Sequence, residues 1–189
     1  MLLRDNRFPS VEECFELMER YHMLPNIREH SIIVADIATL LAERLSASGV
    51  QLSAEKVIAG ALLHDIGKTA CLNSNENHAE KGREICIAEQ LRSVVDIVAE
   101  HVIIKDYDPN TELTEKEIVY YADKRVNHDK IVELSERLEY ILERYGKDNP
   151  QRQQAIRKNF NRCVTIEKRI FSYLDFKPEQ LGENVTNRI

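Results

Sequence analysis

The stretch Gly60-Ala61-Leu62-Leu63-His64-Asp65-Ile66-Gly67-Lys68 constrains this chain more than any other, because an apolar helix ends there on adjacent ionisable residues and a glycine. Burying a carboxylate beside an imidazole among Leu62, Leu63 and Ile66 costs on the order of several kcal/mol unless each is paired or bound to a cation. A satisfied core pair is one solution, and a divalent metal is the other. Adjacent helical residues diverge by roughly 100°, so His64 and Asp65 cannot chelate side by side as an i, i+4 pair would. They reach toward metals from neighbouring angles, and the two oxygens of Asp65 can bridge a pair of ions. His128-Asp129 provides a contrast: it sits in the polar run Lys124 to Lys130, with no following glycine, and reads as solvated surface.

Six glycines and five prolines in 189 residues, against long runs rich in Glu, Leu, Ala, Ile, Lys and Arg, predict an all-α chain with short connections. The length and a 43% hydrophobic content suit a single domain, residues 1–189. Ser10-Val11-Glu12-Glu13 and Thr114-Glu115-Lys116-Glu117 are capping boxes that open helices. The first runs to about Tyr21, the next from about Asn26 to the Ser46–Gly49 region, and Ser53 caps a third that leads into His64-Asp65. Cys71 to Asn77 is a loop, after which His78 opens a helix through Ile85, Ile87 and Leu91, with Gly82 permitting close helix approach. Val94 to Ile104 is expected to be a helix containing His101, with a strand over Val102 to Ile104 as the competing reading. Glu133 to Tyr145 and Pro150 to Tyr173 are two further helices, and the polar tail beyond Pro178 is expected to fray.

Helical spacing then sorts the polar residues. His30 lies between Ile27 and Val34 on an apolar side, as a hydrogen-bonded core histidine or as a ligand. His101 faces inward with Ile97 and Ile104, and Asp123 shares a stripe with Val119 and Val126 while Lys124 and Arg125 face elsewhere. The inward donors are His30, His64, Asp65, His78, His101 and Asp123, with no cysteine among them, a set suited to Fe, Mn, Co or Zn. Six donors exceed the demand of one ion and favour two divalent transition metals bridged by Asp65. Two ions about 3.5 to 4 Å apart can hold a bridging hydroxide and stabilise charge on a phosphoryl oxygen. Lys68, just beyond the turn and pointing to the opening, is placed to engage substrate phosphate.

A net charge of -6, from 26 basic and 32 acidic residues, disfavours nucleic acid and anionic membrane as partners. A small phosphorylated molecule, such as a nucleotide, is expected instead. The basic residues of the last long helix, among them Arg152, Arg157, Arg162 and Arg169, read as a solvated face. Cys14, Cys71, Cys86 and Cys163 lack paired spacing and are expected to be reduced packing residues of a cytoplasmic protein. Arg4, Asp5, Arg7 and Pro9 occupy the place of a secretory apolar region, so no targeting or membrane-spanning segment is expected.

His30, then His64-Asp65, then Asp123 resemble the H…HD…D signature of the HD superfamily of metal-dependent phosphohydrolases, HDIG type. The resemblance covers about 26–127, leaving a C-terminal helical extension at about 130–175, and it includes Leu62 to Lys68 and Tyr121 to Lys124. His78 and His101 resemble the two extra histidines of the binuclear branch, found in HD-GYP phosphodiesterases, symmetrical dinucleoside-tetraphosphate hydrolases and HD-type diiron oxygenases. The resemblance implies that Asp65 is the bridging and catalytic ligand and Lys68 a catalytic phosphate or substrate contact. It implies hydrolysis of a phosphomonoester or nucleotide phosphoester; an oxygenase and a nucleotide-sensing module without turnover are the alternatives. Val102 to Pro109 lacks the HHE and GYP elements of the cyclic-di-GMP enzymes, so that specificity does not follow.

Overall fold

The computed structural model describes residues 8–186 and 189, so the reading of Arg4, Asp5 and Arg7 lies outside the described residues. Helix α1 (Val11–Arg20) opens on its capping box: Ser10 Oγ accepts from the Glu13 N–H at 3.3 Å, and the Glu13 carboxylate accepts from the Ser10 N–H at 2.8 Å. Such a cap contributes about 1 kcal/mol. Pro25 begins α2 (Pro25–Ala47), and Ser53 caps α3 (Ala54–Leu63). Asn77 accepts from the Ala79 N–H to start α4 (His78–Ala88); the short α5 (Val95–Glu100) follows. The Thr114–Glu117 box opens α6 (Glu115–Lys124). A hairpin of β1 (Val126–Asn127) and β2 (Lys130–Ile131) turns through His128, whose φ is 57°. Then come α7 (Leu134–Tyr145), α8 (Pro150–Phe171) and α9 (Leu181–Asn184). Apart from that hairpin, the fold of the described residues is all-α, as the scarcity of glycine and proline predicts.

Helix α2 is the central post. Every residue from Val34 to Ala42 is buried, so α2 is wrapped on all sides rather than on one stripe. Its main neighbours are α3 and α6. Helix α8 lays Phe160, Cys163, Ile166 and Ile170 inward, whereas α7 buries only Leu134 and packs chiefly on α8. All four cysteines are free and buried. Among the described residues no helix is long and apolar enough to cross a membrane.

Several segments depart from their expected form. Helix α4 ends at Ala88, before Leu91, because Gln90 takes a positive φ of 60°. Neither a helix nor a strand continues through Val102 to Ile104. Side chains satisfy the carbonyls there instead: Lys124 donates to His101 O, Asn159 to Val102 O at 2.9 Å and Arg162 to Ile104 O at 2.6 Å. The basic face of α8 is therefore only partly solvated, since Arg169 also pairs with Glu117 and donates to Thr111 O. The tail does not fray as a whole, because Leu181 is fully buried and the Ile189 N–H donates to Asp36 Oδ1 at 3.1 Å.

Candidate metal centre

The free carbonyls at helix ends explain how the histidine rings are held. The last carbonyls of a helix lack intrahelical partners, and His64, at the end of α3, donates its Nδ1–H to Ala61 O at 2.7 Å. His101 repeats the arrangement at the end of α5, donating to Val98 O at 2.7 Å. His30, early in α2, donates its Nδ1–H to His128 O across the fold at 3.1 Å. A carbonyl can only accept, so in all three rings the proton is on Nδ1 and Nε2 is turned to the interior. This is how a supporting hydrogen bond fixes the tautomer of a metal-binding histidine.

The six expected donors converge and divide into two sets. Asp65 Oδ2 lies 3.4 Å from His64 Nε2 and 4.0 Å from His30 Nε2. Asp123 Oδ1 joins this first set at 3.1 Å from His30 Nε2 and 3.6 Å from His64 Nε2. Asp65 Oδ1 turns the other way, 3.4 Å from His78 Nε2 and 3.5 Å from His101 Nε2. The two Nε2 atoms of His78 and His101 are 3.1 Å apart.

This donor chemistry fits divalent ions. Metal–N and metal–O bonds of about 2.0–2.2 Å place two ligands of one ion roughly 3 to 3.6 Å apart, which most of these separations match. His64 Nε2 is buried between two carboxylates and has no hydrogen-bond partner of normal geometry in the protein, a costly position unless a cation, either a proton or a metal ion, occupies it. The groups His30–His64–Asp65 and Asp65–His78–His101 can each hold an ion.

Electrostatics point the same way. Burial is the largest influence on both carboxylates and pushes their pKa values up. Together the charges of His64 and Lys68 and the hydrogen bonds of His101 and His64 outweigh it for Asp65, and Lys124 with His30 and His64 outweighs it for Asp123, so both stay well below the usual carboxylate range. Burial likewise opposes charge on His64, but Asp65 and Asp123 raise its pKa to about 9, so the pocket draws positive charge to Nε2 and a metal ion would bind there by displacing a proton. Burial and the neighbouring His101 lower His78 to about 4, leaving a neutral donor.

Two lysines behave differently from expectation. Lys68 does not point freely to the opening: its ammonium donates to Asp65 Oδ2 at 2.7 Å, with the side chain 36% exposed at the rim. Lys124 and Arg125 do not face solvent, being 4% and 2% exposed. Lys124 pairs with Asp123 Oδ2 at 2.8 Å, and Arg125 donates to Val132 O at 2.6 Å and Pro178 O at 3.0 Å. Sequence reasoning missed both, although an inward Asp123 followed directly by a cation carried the signal. His128-Asp129 is surface, yet the backbone carbonyl of His128 holds His30.

The HD domain model matches residues 27–128, and this chain belongs to that family, the HD superfamily of metal-dependent phosphohydrolases. Among its relatives, ribonuclease Y of Treponema denticola is 34% identical over 163 residues, covering 80% of this chain and 30% of that protein. An uncharacterized protein of Methanocaldococcus jannaschii is 31% identical over 147 residues, covering 71% of this chain and 86% of its own length. A tRNA (cytidine(56)-2'-O)-methyltransferase of Picrophilus torridus is 28% identical over 156 residues, 75% of this chain and 42% of that protein. The chain thus spans less than half of two of these three relatives. No solved structure matches it.

Proposed function

We propose that this chain hydrolyses a phosphomonoester or nucleotide phosphoester at the His/Asp cluster, using two divalent transition ions, Fe, Mn, Co or Zn. The carrying observation is that Asp65 turns Oδ2 to one donor set and Oδ1 to the other. A bound pair of ions supplies activated water at neutral pH and neutralises charge on the phosphoryl oxygens. His30, His64 and Asp123 hold one ion, His78 and His101 the other, and Asp65 keeps the two sets in register. Lys68 is a rim cation for the substrate phosphate.

A nucleotide suits the surroundings of the rim. Helix α7 flanks it, with the Tyr140 ring 5.2 Å from that of His128 and a half-exposed Tyr145 at its C-terminal end. The acidic balance keeps the reading with small molecules, although two relatives bear names that refer to RNA. We further infer one domain over 1–189, with an HD core at about 26–127, a helical extension at about 130–175 and a cytoplasmic setting.

The test is a phosphate-release screen with Mn, Co and Fe, run in parallel under air and argon on nucleoside monophosphates, sugar phosphates and a short RNA. Release of phosphate or a nucleotide from a small substrate, equal in both atmospheres, is the expected result. Substrate-dependent oxygen uptake would replace this reading with an oxygenase, and cleavage of the RNA alone would overturn the small-molecule assignment.

A further inference from the structure

Lys124 is 4% exposed, and its ammonium lies 4.5 Å from the centroid of the Tyr120 ring. Its hydrogen bonds go to Asp123 Oδ2 at 2.8 Å and to the backbone carbonyl of His101 at 2.5 Å. These acceptors belong to different donor sets. Asp123 presents its other oxygen, Oδ1, to His30 and His64, whereas the His101 ring presents Nε2 to His78 and Asp65 Oδ1. The carbonyl of His101 lies just past α5, where the helix has no partner for it. An ammonium withdrawn from water is retained where its hydrogen bonds and countercharge compensate for the lost hydration.

We propose that Lys124 is a positioning residue that couples the two donor sets, one ammonium fixing a carboxylate in the first and the backbone of a histidine in the second. It anchors the end of α5 to the end of α6. Lys68 contrasts with it: that lysine pairs with Asp65 from the rim, 36% exposed, where it can exchange partners, whereas Lys124 is enclosed. The proposal rests on the two-set reading above. Partners that orient metal ligands typically contribute about ten- to a hundredfold in metal affinity, and Lys124 is expected to contribute this at both sets.

The experiment is a calorimetric titration with Mn2+, paired with the visible absorption of bound Co2+, on the wild type, His78→Ala, Lys124→Met and Lys124→Gln. His78→Ala is expected to weaken one binding event and leave the other. Lys124→Met is expected to weaken both by about ten- to a hundredfold and to alter the Co2+ spectrum, with helix content by circular dichroism unchanged. Lys124→Gln keeps a donor without the charge and is expected to fall between, so it carries the test if Lys124→Met does not fold. Wild-type affinity in the folded Lys124 variants, or a loss confined to one event, would overturn the coupling. A wild type that binds a single ion would instead remove the two-set reading on which the coupling rests.

Discussion

A histidine whose Nδ1–H is committed to a carbonyl can give a metal only Nε2, and His30, His64 and His101 are all committed in this way. Two of those carbonyls exist because a helix ends there, so helix termination and ligand orientation are one event in α3 and α5. Inward orientation of His30, His101 and Asp123 was legible from helical spacing and that of His64 and Asp65 from their apolar setting, whereas His78 was marked only by its place at a helix start. What spacing could not supply was the pairing of each carboxylate with its own lysine, Asp65 with Lys68 three residues on and Asp123 with the adjacent Lys124, because neighbouring residues on a helix start out in different directions and only the long lysine stems bend back. Lys68→Ala is expected to leave the metal count unchanged and to lower kcat/KM about ten- to a hundredfold, the loss of a charge-assisted hydrogen bond of roughly 1.5–3 kcal/mol. The deficit falls on KM if Lys68 binds ground and transition states equally, and on kcat otherwise. Full activity in this variant would reduce Lys68 to a partner of Asp65.

Among the elements, α4 depends most on close contact. A Cβ added at Gly67 would lie 2.4 Å from His78 O and 2.5 Å from Gly82 N, so the turn after Asp65 and the start of α4 touch backbone to backbone. The glycine is needed there for space, because its φ is not in the left-handed region. Gly67→Ala must therefore push α4 away and carry His78 with it. The expected outcome is a protein that keeps the ion of the His30–His64–Asp123 set and binds the second at least tenfold more weakly, about 1.4 kcal/mol or more, by the same calorimetric titration. Equal affinity at both would mean that α4 adapts without moving His78. The starts of α1, α3 and α6 were legible, because Ser10, Ser53 and Thr114 cap by local chemistry, whereas α9 lies in a tail that reads as polar. The end of α5 was not, because Asn159, Arg162 and Lys124 arrive from distant positions to take its carbonyls.

Across the whole molecule, α2, α4 and α6 and the ends of α3 and α5 bring the six donors to one cluster, while α7 packs on α8 and α8 on α6. Arg125 connects that core to the C-terminal segment through Pro178 O, Tyr121 and Glu167, which is why a tail that reads as polar is held against the fold. Its burial was hidden because Lys124 to Lys130 reads as one solvated run, when Lys124 and Arg125 within it are buried on their partners. On the function proposed above, this assembly would hold two metal ions, one on each side of Asp65. The most direct test is metal analysis of protein purified without chelator, alongside His78→Ala, His101→Ala and Asp65→Ala. The expected result is about two transition-metal ions per chain, a fall to about one in each histidine variant, and loss of both in Asp65→Ala. Saturation of the wild type at one ion, with His78→Ala and His101→Ala unchanged, would contradict it.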